Sequence, residues 1–305
     1  MLRRSHCARN GRARLRLALT SGGAVSAWRR RPAMEKTVRL QGSQQTLLIT
    51  LYAKALDNRS PRPLLGDELA DEVVRRIDAD FARFPLRGGQ IAGLALRAKV
   101  LDDWAREWLA RHPDTLVLHL GCGLDTRVFR INPPADLDWI DLDYPEVIEL
   151  RRSLLPERYG SYRMAAMDVS SKDWLAPIAG GRPVLVISEG LFPYLEEADA
   201  RLLVQRVVDR FPRGQWLCDI YSRFAVRWLA RSWVARTTGA QFGDWGFDDP
   251  REMEAWHPRL AFVDEPRLSE RAEVALLPAR QRGLYWAYDR WAWLRRLGRM
   301  ARYQF

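Results

Sequence analysis

Apolar positions recur along this chain with two different spacings. Over 43–57, 67–79 and 91–111 they fall three and four residues apart, the spacing of helices with one apolar face. The third run ends at His112-Pro113, where proline cannot continue a helix. From Thr115 onward, short strand-like segments take over, at 115–120, 137–142, 162–166, 183–188 and 215–220, with helical spacing returning near 145–155 and 196–211. Strands that are apolar on both faces and alternate with helices predict an α/β fold, a mostly parallel sheet joined by right-handed crossovers and covered on both sides. The first three helices would then lie over one edge of the sheet as an N-terminal cap. Further on, Phe224 to Ala235 reads as one amphipathic helix, followed by a glycine- and aromatic-rich loop over 239–250. Strands near 260–263 and 301–305 would complete the sheet.

The densest chemistry lies after the first strand, in Leu118 to Arg130, LHLGCGLDTRVFR. Gly121 and Gly123 can adopt backbone angles closed to other residues and leave room for a ligand against the main chain. The next strand ends in Asp141-Leu142-Asp143-Tyr144-Pro145, and Asp143 lies 22 positions after Gly121, near the separation at which a Rossmann-type unit places the acid that holds a ribose. A dinucleotide site would want a third glycine where Thr126 stands, and the carboxylate of Asp125 would repel a pyrophosphate. A nucleoside cofactor without phosphates fits better, and S-adenosylmethionine is the common one.

LGCGLDTR, WIDLDYPEVI, MDVSSKDW and ISEGLFPYL, in this order and spacing, resemble the leucine carboxyl methyltransferase family of class I S-adenosylmethionine-dependent methyltransferases. Within it, TLLITLYAKALDNR followed by PLLGDELADEVVRRID is similar to the bacterial O-methyltransferases of the tetracenomycin polyketide type. The resemblance runs from about Thr37 to the C-terminus. It implies a Rossmann-like sheet with an inserted helical lid, and it implies roles residue by residue. Arg97 would meet the carboxylate of the cofactor or of the substrate. Gly121 and Gly123 would lie under the methionine portion, Asp143 would hold the ribose, and Asp168 with Val169 would read the adenine. Glu189 would sit near the cofactor's positive end, and Tyr194 on the substrate side, making Tyr194 and Arg97 the candidate catalytic pair. His119 departs from the wider class, in which many members carry an acid before the first glycine.

Each assignment has a structural alternative. Asp141 lies on the same strand face as Asp143. Arg97 belongs to a helix rich in exposed charge, Asp168 has the character of a helix cap, and Tyr194 suits a packed core. His119 and Cys122 read as core and turn residues, since no second His or Cys stands near them at metal-ligand spacing. Among thirteen tryptophans, Trp228, Trp233 and Trp245 fall in the lid region, where they would wall a polycyclic substrate or pack the lid onto the sheet. Trp286, Trp291 and Trp293 read as core, with a dimer or membrane-surface face as the alternative.

Composition then removes a misleading signal. The formal net charge is +11, but residues 1–33 hold nine arginines and no acid, which leaves +2 for the rest. The basic balance therefore does not point the body toward nucleic acid. The arginine-rich stretch is poor in bulky apolar groups and is expected to be disordered, with Met34 as the natural start and 34–305 as a single methyltransferase domain. Three cysteines, at 7, 122 and 218, form no paired motif and suit a reducing, cytoplasmic setting. No apolar run approaches the roughly 20 residues of a membrane span, so neither membrane nor nucleic acid is expected as a partner. A monomer or a homodimer acting on a small molecule is the expectation. The methyl acceptor would be a carboxylate or phenolic oxygen of that molecule. The other readings are a protein C-terminal leucine carboxyl methyltransferase and a non-catalytic cofactor-binding protein of the same fold.

Overall fold

In the computed structural model, residues 40–305 are described, together with a two-residue strand Arg16–Leu17 that pairs antiparallel with Ile77–Asp78. The expected disordered extension, 1–33, otherwise lies outside the described residues.

Seven strands form one sheet: β1 (Leu116–Leu120), β2 (Trp139–Asp143), β3 (Tyr162–Ala166), β4 (Val184–Ser188), β5 (Gly214–Ile220), β6 (Ala261–Asp264) and β7 (Arg299–Gln304). Their order is β3-β2-β1-β4-β5-β7-β6. The first five are parallel, and β7 runs antiparallel to both of its neighbours. Register pairs Leu118 with Ile140 on one side and with Val186 on the other. Every residue of β1 and β4 is buried, as their mainly apolar runs predict. The strand order reverses between β1 and β4, so a crevice opens beyond their carboxyl ends. Gly121, Asp143, Glu189 and Asp219 all stand at or just past those ends.

Alternate residues of the strands serve opposite faces. Leu116, Leu118 and Leu120 pack with Val186 and Trp216 against Leu203, Val204 and Val207 of helix α6 (Glu197–Arg210). Val117, Leu185, Ile187 and Leu217 pack on the other face against Val100, Leu101 and Trp104 of α3 (Gly88–Arg111). Two cap helices, α1 (Thr46–Asn58) and α2 (Glu68–Arg76), share a third apolar cluster with α5 (Pro145–Leu154). The five residues after the turn form α4 (Arg127–Ile131).

Three expectations need correction. The second cap helix stops at Arg76 rather than Ala79, because Ile77 and Asp78 turn into extended backbone and pair as a strand. Phe224 to Ala235 is two helices, α7 (Arg223–Ala230) and α8 (Trp233–Thr238). Ser232 divides them: its hydroxyl donates back to the Leu229 carbonyl at 2.7 Å while accepting the Val234 amide at 3.2 Å, which ends one helix and caps the next. Trp286, Trp291 and Trp293 are exposed rather than core. Trp286 belongs to α10 (Ala279–Arg290) and Trp293 to α11 (Ala292–Arg295), with Trp291 joining the two; these helices follow the short α9 (Ala272–Ala275) and lie on the outside of the domain, with Tyr285 and Tyr288 turned toward it.

Candidate active site

The turn after β1 is built around its two glycines. Gly121 has φ +62° and Gly123 φ +50°, both in the left-handed region. A Cβ at Gly121 would lie 3.1 Å from the Leu191 side chain, and one at Gly123 3.3 Å from Leu47, so the turn also packs too closely for side chains. The Gly123 amide donates to Asp143 Oδ2 at 2.7 Å and the Tyr144 amide donates to Oδ1 at 2.8 Å. Burial nevertheless raises the Asp143 carboxyl above its ordinary range, against those two hydrogen bonds.

Asp141 does different work. It is fully buried and accepts from Trp139 Nε1 at 2.8 Å, from the Tyr162 hydroxyl at 2.7 Å and from Arg151. His119 Nδ1 lies 3.0 Å from it, and His119 Nε2 lies 3.3 Å from Arg127 Nη1. A guanidinium only donates, so the ring accepts at Nε2 and donates Nδ1–H to Asp141. His119 is thus locked beneath the turn.

The rest of the DTR word fastens the turn to the cap. Thr126 donates its hydroxyl to Asp67 of the α2 N-terminus at 2.7 Å. Arg127, wholly buried, donates to Asp102 of α3 at 2.6 Å and to Glu189. Arg130 reaches Asp67, Asp102 and Asp125 at 2.6 to 2.8 Å. Asp125 is therefore not a free repelling charge. Burial alone would raise its pKa, but Arg127, Arg130 and Lys54 hold it well below the usual carboxylate range.

Arg97 is buried against the cavity and not on the surface. Its Nε and Nη2 donate to Glu189 Oε1 at 3.2 and 3.0 Å, and Nη1 donates to Asp219 Oδ2 at 2.8 Å and to the Tyr221 hydroxyl at 3.0 Å. The phenol bonded to Arg97 is therefore Tyr221, while Tyr194 donates to Thr46 Oγ1 at 3.0 Å and packs its ring 5.0 Å from that of Phe242. Burial raises the Tyr194 hydroxyl above its ordinary pKa. Glu189 gathers three cations, Arg97, Arg127 and Lys54, the last at 3.6 Å; burial would raise its pKa, and these cations drive it far down instead.

One cavity of about 690 Å³ joins these groups. Gly121, Gly123, Asp143, Tyr144 and Val147 line one part, and Arg97, Glu189 and Lys54 stand where it continues toward Tyr194, Phe242, Trp233 and Tyr285. Asp168 and Val169 do not line it. Asp168 is exposed and accepts from the Ser170 amide and hydroxyl at 2.9 and 2.7 Å, whereas Val169 is buried in the core. Burial, and after it the charges of Asp168 and Asp143, raise the Tyr144 hydroxyl, so Asp168 lies near the rim residue Tyr144. Trp245 belongs to the core, its Nε1 donating to the Leu195 carbonyl at 2.6 Å, and Trp228 is exposed.

Lys54, Asp219 and Tyr221 were not singled out from the chain. Lys54 had a signal: it lies seven residues after Leu47 and three after Leu51, on the apolar stripe of α1, where a charge without a partner would be costly. Its Nζ is 3.1 Å from Asp125 Oδ2.

A left-handed glycine turn against an acid-tipped strand, in a sheet of this order, is matched by a family model. Residues 47–208 fit that of leucine carboxyl methyltransferase. The chain belongs to this family. Its similarity to the tetracenomycin polyketide synthesis O-methyltransferase TcmP of Streptomyces glaucescens is 47% identity over 232 residues, 76% of this chain and 85% of that one. The S-adenosyl-L-methionine-dependent methyltransferase dpfgK of Gibberella zeae is 36% identical over 247 residues, covering 74% and 82%. Two solved structures share the fold at low identity. A Thermobifida fusca protein has a TM-score of 0.51 at 18% identity, over 82% of this chain and 93% of its own. A DUF574 family protein of Streptomyces avermitilis has 0.50 at 16%, over 83% and 96%.

Proposed function

We propose that this member of the leucine carboxyl methyltransferase family transfers the methyl group of S-adenosylmethionine to a carboxylate or phenolic oxygen of a small, polyketide-like molecule. The observation that carries this reading is the single cavity running from the glycine turn and Asp143 to a chamber walled by Tyr194, Trp233, Phe242 and Tyr285. The first part suits the cofactor: the turn has no room for a Cβ at Gly123 yet offers its backbone to a ligand, and the Asp143 carboxylate faces the space beyond. Gly121, Gly123 and Asp143 would hold the nucleoside and methionine portions, with Asp168 beside the rim at the adenine end and Val169 left in the core. Arg97, Lys54 and Glu189 would meet the charged amino-acid end, with both signs of charge available for its carboxylate and ammonium. When bound, the cofactor supplies an electrophilic methyl group on a neutral leaving group.

The chain's own contribution is alignment and exclusion of water. Tyr194, fixed by Thr46 and Phe242, and Arg97, fixed by Glu189, Asp219 and Tyr221, orient the acceptor oxygen. The carboxylates nearest the chamber, Glu189 and Asp219, are held by Arg97 and Tyr221, and the other candidate proton acceptors are no better placed. Burial raises Tyr194, lifts Tyr285 to about 12 and raises Tyr221 further, and His119 is tied to Asp141 and Arg127. An acceptor that arrives already ionised fits such a chamber, which favours a carboxylate or an acidic phenol. A cavity walled by aromatic rings suits a flat ring system better than a peptide terminus, and relatives similar over most of the chain include an O-methyltransferase of polyketide synthesis. Cys122 and Cys218, free and buried, suit the cytoplasm.

Calorimetry with S-adenosylhomocysteine, then a methyl-transfer screen over aromatic carboxylic acids, phenols and leucine-terminated peptides, tests the reading. Binding followed by turnover on an aromatic acid or phenol is expected. Turnover on the peptides alone would assign the protein-directed activity, and binding without turnover would assign a non-catalytic role.

A further inference from the structure

Helix α10 closes one side of the cavity, yet neither it nor α11, which follows it, contains a buried residue. Gln281, Tyr285 and Tyr288 face the cavity. Leu284, Trp286, Trp291 and Trp293 stand in solvent, 65%, 59%, 49% and 64% exposed. Leu284 both lines the cavity and faces water, so it marks the mouth. Across from it, Leu229 of α7 also lines the cavity, and the same helix exposes Phe224 and Trp228, at 62% and 60%. Single exposed apolar residues are ordinary; six bulky ones on the helices around one opening are not.

On α10 and α11 the unpaired charge is basic, whereas at the start of α7 the charge of Arg223 is balanced by Asp248 and Glu252. Arg227, Arg280, Arg282, Arg290 and Arg296 are exposed, and none is ion-paired among the described residues. Over 276–298 the single acid is Asp289, which accepts the Ser269 amide. A second copy of the same face would bring arginine against arginine, which disfavours self-association. An acidic protein partner would want its aromatic anchors gathered in one packed spot, whereas these are spread over the outer sides of three helices. Indole rings beside arginines on convex helices match the headgroup region of an anionic bilayer, where the rings sit at the acyl boundary and the guanidinium groups meet lipid phosphates.

We infer that α7, α10 and α11 form a docking face for an anionic lipid bilayer, with the cavity mouth set toward the membrane. No helix among the described residues is long and apolar enough to cross a membrane, so the contact is peripheral, and it replaces the expectation that the chain has no membrane partner. The consequence that an apolar acceptor enters from the bilayer rests on the proposed activity; the docking itself does not.

Co-sedimentation of the full chain with vesicles of phosphatidylcholine, and of phosphatidylcholine with roughly a third phosphatidylglycerol, tests it. Binding to the anionic vesicles only is expected, weakening as salt rises. The triple variant Trp286→Ser/Trp291→Ser/Trp293→Ser should bind on the order of tenfold more weakly, and Arg280→Glu/Arg290→Glu likewise, with unchanged melting temperature and S-adenosylhomocysteine affinity. All variants keep the nine N-terminal arginines, so undiminished binding would assign vesicle attachment to that stretch and overturn the inference. So would an absence of anionic-vesicle binding, whether it comes with salt-sensitive binding of polyglutamate, pointing to an acidic protein, or with a mass that halves in the tryptophan variant, pointing to a second copy. Because vesicle binding and cofactor titration are read separately, failure of one leaves the other standing.

Discussion

The Asp143 carboxylate accepts the Gly123 amide at 2.7 Å, so the tip of β2 and the glycine turn after β1 form one rigid unit. This hydrogen bond orients Oδ2 toward the turn and leaves the carboxylate edge at the cavity. Asp143→Ala should weaken S-adenosylhomocysteine binding by about 1.5 to 3 kcal/mol, the usual cost of losing hydrogen bonds to a charged group. The fold should survive, since the buried network beneath is carried by Asp141. Calorimetry on the folded variant checks this, and an unchanged affinity would remove the ribose assignment.

Lys54 is the cation whose loss should be felt most widely. It is buried between Asp125 and Glu189, and Lys54→Met would leave both acids short of positive charge in a dry site. Breaking a buried pair of this kind costs roughly 3 kcal/mol of unfolding free energy. Adding Glu189→Gln removes one of the stranded charges and should restore part of that loss. Urea titrations of the native chain and both variants measure it; a single variant as stable as the native chain would mean that Arg97 and Arg127 suffice.

How far the chain itself disclosed this site follows from which signals are local. The central parallel strands were legible because they are buried on both faces and so read as mainly apolar runs, and the half-exposed edge strand Tyr162–Ala166 was legible from its place in the alternation of strands and helices. Gly121, Gly123 and Asp143 were legible because a turn and a strand tip leave their mark within a few residues. Tyr221 and Asp219 were not, because their partner Arg97 is more than 120 positions away and only the folded sheet brings them together. The break at Ser232 escaped because the apolar spacing continues across it, and what ends the helix is a side-chain hydroxyl. Helices α10 and α11 escaped for the opposite reason: bulky apolar residues stand on the solvent side, at Trp286 and Trp293, as well as toward the domain, at Tyr285 and Tyr288, which blurs the period.

Three buried acids make stability fall in acid, against the smaller opposite effect of Asp143, whose carboxyl burial raises. Burial would raise Asp125, Asp141 and Glu189, but their cations win: Arg127 and Arg130 at Asp125, Arg151 and His119 at Asp141, and Lys54, Arg97 and Arg127 at Glu189. Each folded pKa is depressed, so each contributes stability that is complete above the ordinary carboxylate value near 4 and is lost as pH falls below it. One pH unit below that value the loss is about 1.4 kcal/mol for each group, roughly 4 in all. Denaturation midpoints between pH 6 and 3 should fall accordingly, and Glu189→Gln should flatten the slope by about one proton. A flat profile would mean that these acids are equally depressed in the unfolded chain.

Tyr194 and Arg97 occupy the same cavity but are anchored differently, and that difference separates alignment from binding. The Tyr194 hydroxyl has one protein partner, Thr46, and its ring rests on Phe242 at the acceptor end. Removing the hydroxyl leaves the glycine turn, Asp143 and the charged cluster untouched. Tyr194→Phe should therefore lower kcat by at least about tenfold while shifting S-adenosylhomocysteine affinity by no more than about twofold. Arg97 instead divides its guanidinium among Glu189, Asp219 and Tyr221. An ammonium cannot keep that fork, so Arg97→Lys should damage turnover and cofactor affinity together. Tyr221→Phe, which removes one of the fork's three partners, should reproduce the Arg97→Lys pattern in weaker form. Steady-state kinetics beside calorimetry on the three variants decides the matter. Equal losses of rate and affinity in Tyr194→Phe would move that tyrosine to the cofactor side, and a Tyr221→Phe enzyme with native affinity and a lowered kcat would make Tyr221 the phenol that aligns the acceptor.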